Sequence, residues 1–142
     1  MNNGTWKSLE DMFETFPMMK AGPVSDLEID SAEQNLGVLF GQDYRGFIAR
    51  YGGALVGPYP IFGLKKAVPM SKNDFSVIEV TNRFRNAGWP GVEQWIVISM
   101  DHSGNPIGIG GDGRVRISDH DNGGIAIIAD SFEDFLKKWC LK

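Results

Sequence analysis

Apolar residues along the first third of the chain recur at helical spacing. Trp6, Leu9, Met12, Phe13 and Phe16 share one face before Pro17, so the pattern predicts an N-terminal helix that the proline stops. Ser25 followed three residues on by Glu28 is a capping box, in which each side chain satisfies a backbone amide of the other. It opens a helix that carries Ile29, Ala32 and Leu36 and ends at Gly37. Asp43 is expected to cap a third helix, where Tyr44, Phe47, Ile48 and Tyr51 follow the i, i+3, i+4, i+7 rule before Gly52 and Gly53.

The period then changes. Residues 59–64 are apolar, include Gly63 and are punctuated by Pro58 and Pro60, which predicts a short strand near a sheet edge. Ser76 with Glu79 forms a further capping box, and Val77, Val80 or Thr81, and Phe84 supply the stripe of a helix ending near Gly88. Four strands follow at 95–100, 106–110, 114–118 and 125–129, separated by the turn-forming segments HSGN, GDG and DHDNGG, and predict an antiparallel meander. The last helix opens at Ser131, with Asp134 three residues on, and sets Phe132, Phe135, Leu136, Trp139 and Cys140 on one face. Without alternating βαβ units the class is α+β: an antiparallel sheet of five or six strands flanked by helices, one sheet face left free.

Composition bounds the function. A length of 142 residues suits one domain spanning 1–142 with one core. Hydrophobic residues at 42% and charged residues at 23% exclude wholesale disorder. Apolar runs stay well short of the roughly 20 residues a membrane helix needs, and the acidic, amphipathic start is unlike a secretion signal, so a cytoplasmic protein is expected. The lone Cys140 cannot form an internal disulfide and is expected to be a buried, inert thiol.

Net charge is a mild −4, but it is unevenly spread. Positions 99–134 hold seven acids (Asp101, Asp112, Asp119, Asp121, Asp130, Glu133, Asp134) against Arg114 and Arg116. That disfavours direct nucleic-acid binding there and favours a basic partner, although turn chemistry accounts for aspartates equally well.

Candidate catalytic motifs fail on context. GIGGDG at 108–113 matches the dinucleotide-binding pattern GxGxxG, but a strand follows it where that chemistry needs a helix, so a hairpin turn is expected. Asp119, Asp121 and Gly124 occupy positions one, three and six of a calcium loop whose remaining ligands are missing. His102 and His120 each follow an aspartate in a turn, and hairpins could bring them to one edge as a metal or acid–base pair, with solvated turn histidines the simpler account. GxSxG, HExxH, CxxC and phosphate-loop motifs do not occur, so no catalytic residue, cofactor or metal ligand is assigned. Trp6, Trp95 and Trp139 fit core stripes, whereas Trp89 in the turn GWPG is a candidate binding anchor.

The segment IDSAEQNLGVLFGQDYRGFIARYGG (29–53) resembles the hallmark of the SUKH superfamily, which comprises fungal cell-wall-assembly regulators and bacterial immunity proteins. Ile29, Glu33, Leu36, Gly37, Tyr44, Arg45, Phe47, Gly52 and Gly53 carry the likeness. IFGL at 61–64, Asn82-Arg83, Asp101 with Gly104, and IADSFEDFL at 128–136 extend it in order over about 25–141. Leu39-Phe40-Gly41 departs from the family's usual Leu-Pro, and Tyr51 stands where Asn is usual before Gly-Gly.

The resemblance implies a SUKH-like domain that binds and inhibits a toxin, frequently a nuclease, without catalysis and without direct contact to nucleic acid or membrane. A monomer or weak homodimer is expected. Trp89, Asp101, Asp112, Asp119 and Asp121 are the candidate partner-binding residues. A regulatory scaffold like the fungal relatives is the alternative, and a metal- or histidine-dependent hydrolase a lesser one.

Overall fold

The computed structural model describes residues 1–121 and 123–142; Asn122, within the expected DHDNGG turn, lies outside the described residues. The chain runs α1 (Asn3–Thr15), α2 (Asp26–Leu36), α3 (Gln42–Tyr51), β1 (Ala54–Val56), β2 (Tyr59–Ile61), α4 (Val77–Asn86), β3 (Ile96–Met100), β4 (Pro106–Ile109), β5 (Val115–Asp119), β6 (Gly124–Ala129) and α5 (Phe132–Phe135). The α+β class and the meander stand as expected.

Local chemistry explains most of the boundaries. Ser25 and Glu28 complete the capping box of α2, and Gly37 ends that helix in the left-handed conformation. Ser76 accepts from the Glu79 amide and Ser131 from the Asp134 amide. Asp43 behaves differently from its expected role. The N-cap of α3 is Gly41, which has no side chain to offer, and Asp43 instead takes the amino terminus of Met1 at 2.9 Å. Its carboxylate therefore ties the start of α1 to the start of α3.

The hydrophobic core gathers residues from every layer. The four positions of α3 at helical spacing, Tyr44, Phe47, Ile48 and Tyr51, are all buried. The three rings among them join a chain of contacts from Phe40 through Tyr44, Phe132, Phe47 and Tyr51 to Phe13, edge-on except for the tilted last pair, with centroids 4.6 to 5.4 Å apart. Each such pair contributes about 0.5–1.5 kcal/mol beyond its buried area. Leu9 and Phe13 bring α1 into this core.

The six strands divide into a two-stranded sheet, β1-β2, and a four-stranded sheet ordered β3-β4-β5-β6, antiparallel throughout. β1 is too short to show alternation, so it gave no periodic signal. It forms because Gly57 and Pro58 turn the chain directly back, pairing Val56 with Tyr59. The hairpin then abuts β3 through a bond from the Phe62 amide to the Ile98 carbonyl (2.8 Å). On its own side α4 holds β3, where Thr81 Oγ1 accepts from the Val97 amide (2.8 Å).

Beyond α5 the chain continues as a π turn, Leu136–Cys140, in which the Leu141 amide reaches back five residues to Leu136. The wider turn delays the return of each side chain to the inner face. Cys140 comes inward, 3% exposed, while Trp139 is left 42% exposed at the sheet edge and not in the core. Burial pushes the Cys140 thiol up to about 12, so it is the inert thiol the sequence suggested. Trp95 is buried, and Trp6 is partly buried beneath the Arg50 guanidinium, 3.7 Å from its centroid.

Candidate protein-binding site

An antiparallel meander places alternate turns at the same end. The β3–β4 and β5–β6 connections therefore share one end of the sheet, and the β4–β5 turn lies at the other. This single fact sorts the candidate residues. Asp101, Asp119 and Asp121 fall at the first end; Asp112 falls at the second.

At the first end Asp101 organises its own turn. Its Oδ1 accepts from the Ser103 and Asn105 amides, and its Oδ2 from Asn105 Nδ2 at 3.0 Å. Asn105 is buried and bridges the two connections, because its Oδ1 lies 2.7 Å from His120 Nδ1. An amide oxygen can only accept, so Nδ1 carries the proton, and Nε2 is left facing Asp121 Oδ1 at 3.3 Å. Asp119 Oδ1 accepts from the Asp121 amide. Trp89 joins this end from the α4 side: its ring stands edge-on to His120 and to Phe84, each at 5.2 Å, and it is half-buried. Four of the five candidates thus converge, linked through Asn105 and His120, which sequence reasoning did not connect.

The two histidines share the end but not a site. His102 stacks on Tyr59, which packs against Phe135 and Trp139, while His120 meets the Trp89 ring, which in turn packs against Phe84. Each ring thus belongs to a different packing layer.

The opposite end is electrostatically balanced. Arg116 grips Asp112 with two bonds of 2.8 and 2.6 Å, and the Arg114 amide adds a third. These bonds, the guanidinium first, hold the Asp112 carboxyl well below the usual carboxylate range. Two open depressions of 560 and 510 Å³ flank this turn and share Gly110, Gly111 and Asp112; neither is lined by an imidazole.

The hallmark residues serve the scaffold. Arg45 on α3 clasps α2 through Asp30 (2.8 Å), Glu33 (2.9 Å) and Asp26 (3.4 Å), and these acids raise its pKa, Asp30 foremost. Glu33 also accepts from the Phe40 amide, fixing the α2–α3 loop. The Tyr44 hydroxyl donates to the Phe62 carbonyl deep in the core. Gly52, with φ 74°, lies so close to the Gly22 carbonyl that a Cβ would sit 2.1 Å from it.

Fold and surface together define an α+β domain whose hallmark residues hold the scaffold together and whose candidate aspartates lie at turns on the two ends of the meander. The chain belongs to the SMI1 / KNR4 family (SUKH-1), whose family model matches residues 23–138. Among curated proteins none matches the chain. The match begins after α1, yet Leu9 and Phe13 of α1 lie fully within the shared core. No helix among the described residues is long and apolar enough to cross a membrane.

Proposed function

We propose that this chain is an immunity protein that binds a toxin domain, of nuclease type, and neutralises it stoichiometrically in the cytoplasm, without a cofactor and without catalysis. Membership of a family that includes immunity proteins supports the class. The observation that carries the particular reading is the meeting of Asp101, Asp119, Asp121 and the Trp89 edge at one end of the meander. A nuclease must expose a basic surface to hold phosphates. Acids on the facing surface accelerate encounter with such a cleft, and a half-buried indole gives a rigid apolar anchor that slows release.

The test is binding kinetics against the toxin domain encoded beside this chain, together with protection on co-expression. Asp119→Asn with Asp121→Asn keeps the oxygen acceptors of the turn and removes two charges. Association is expected to slow about tenfold and to lose salt dependence, with dissociation little changed. Asp112→Asn, at the opposite end and already paired with Arg116, serves as the control and leaves association unchanged. Trp89→Ala speeds dissociation, and Trp89→Phe, which keeps a ring against Phe84, separates contact from stability. Absence of binding and protection, or an association rate indifferent to both aspartates, overturns the reading.

A further inference from the structure

A side-chain amide is costly to bury unless both its ends are hydrogen-bonded. Asn105 is 2% exposed, and each end has a partner on a different connection of the sheet. Its Nδ2 donates to Asp101 Oδ2 (3.0 Å) in the β3–β4 turn, and its Oδ1 faces the amide (3.4 Å) and the Nδ1 (2.7 Å) of His120 after β5. The two ends are not interchangeable. An ionised carboxylate only accepts, so the amide nitrogen must face Asp101 and the oxygen is left for the imidazole. Further bonds hold that turn in place: Asp101 Oδ1 takes the Asn105 and Ser103 amides, and the Asp101 amide returns to the Asn105 carbonyl at 3.1 Å.

The proton on Nδ1 is thus imposed from the next connection. In a solvated neutral histidine the proton favours Nε2, so the bond to Asn105 selects the other tautomer and with it the rotation of the ring. That rotation brings Nε2 to Asp121 Oδ1 (3.3 Å) and sets the ring perpendicular to Trp89, with centroids 5.2 Å apart. Trp89 is held from its far side by Phe84, also edge-on. Contacts therefore run without a break from Asp101 through Asn105 and His120 to Asp121 and Trp89.

We propose that Asn105 and His120 are the positioning residues of the candidate surface: the buried amide fixes the imidazole, and the imidazole fixes Asp121 and the Trp89 anchor before a partner arrives. Side chains ordered in advance lose less freedom on binding, so the complex dissociates more slowly. The arrangement belongs to the free protein, and only its consequence for dissociation rests on the toxin reading.

Proton–nitrogen correlation NMR of the full free chain tests the arrangement. In neutral His120 the proton is expected on Nδ1. Asn105→Ala should move it to Nε2 and shift the Trp89 indole N–H resonance, while the His102 ring, on the Tyr59 layer, stays unchanged. Neutral wild-type His120 protonated on Nε2 overturns the proposal, as does a Trp89 resonance unmoved by both Asn105→Ala and His120→Ala. Kinetics against the toxin domain encoded beside this chain test the consequence. Asn105→Ala removes no exposed group and keeps every aspartate, so dissociation speeds up about tenfold, the cost of ordering one or two side chains, while the salt dependence of association is unchanged. His120→Asn separates positioning from folding. Its amide replaces the Nδ1 donor, so the melting point stays near that of the wild type, while the lost ring edge still shifts the Trp89 resonance and speeds dissociation. His102→Ala changes neither rate. Dissociation unaltered in both Asn105→Ala and His120→Asn overturns the positioning role. A wild-type chain that does not bind that toxin domain overturns the toxin reading instead, and the tautomer and the Trp89 resonance then decide the proposal.

Discussion

Replacing Tyr44 by Phe removes one oxygen from the middle of the core and leaves its shape unchanged. The hydroxyl is buried and donates to the Phe62 carbonyl, while the ring stands edge-on to Phe40 and Phe132 at 5.2 and 5.4 Å. Phenylalanine keeps those ring contacts and takes away the carbonyl's donor. A buried acceptor stripped of its partner costs about 1–3 kcal/mol, more than the net worth of the bond itself. With a urea slope of about 2 kcal/mol/M, a loss of about 2 kcal/mol lowers the unfolding midpoint by about 1 M. Tyr51→Phe is the matched control. Its hydroxyl donates to Glu10, a half-exposed carboxylate that water can serve instead, so the expected shift is less than half as large. Tryptophan fluorescence during urea titration reads both variants, and equal slopes confirm that only stability has changed. A loss below about 0.5 kcal/mol for Tyr44→Phe, or a larger loss for Tyr51→Phe, would refute the claim that the buried Tyr44 bond ties α3 to the hairpin.

Gly57, with φ 58°, approaches the C-terminal segment so closely that a Cβ would lie 2.1 Å from the Cys140 carbonyl oxygen. Gly57→Ala should therefore cost at least ~2 kcal/mol by calorimetry, against about 1 kcal/mol for Gly113→Ala, where φ is 80° and nothing lies within 4 Å. Similar melting points for the two variants would show that the close approach is not a constraint. Alkaline stability follows from the thiol: burial raises the folded pKa of Cys140 to about 12 from an ordinary value near 9. A raised folded pKa means stability is complete below about pH 9 and is lost as pH climbs towards about 12, by up to ~1.4 kcal/mol per pH unit. Burial raises Tyr44, Tyr51 and Tyr59 as well, so the wild type falls more steeply still. Cys140→Ala should flatten the dependence of urea stability on pH across that window, and parallel curves for variant and wild type would contradict the assignment.

Most of the element list was legible because it rests on neighbours in the chain. A helix announces itself through i, i+3 and i+4 spacing, as in Tyr44, Phe47, Ile48 and Tyr51, and through caps such as Ser25 and Ser131, whose partner is three residues away. The meander was readable for the same reason, since its turns belong to adjacent strands. β1 was not, because three residues carry no period and the strand exists through its hairpin partner. Asp43 looked like a cap and proved to be a clasp for the amino terminus, 42 residues away. Trp139 fitted an α-helical stripe until a π turn shifted the face that points inward.

The candidate surface divides along the same line. The sequence supplied the residue types and the excess of aspartate after position 99, which composition alone determines. Only the tertiary structure decided that Asp101, Asp119, Asp121 and Trp89 meet while Asp112 turns away to Arg116. Charges and rings interact across a few ångströms of space, and which of them come that close is set by strand order and packing, quantities to which spacing along the chain is blind.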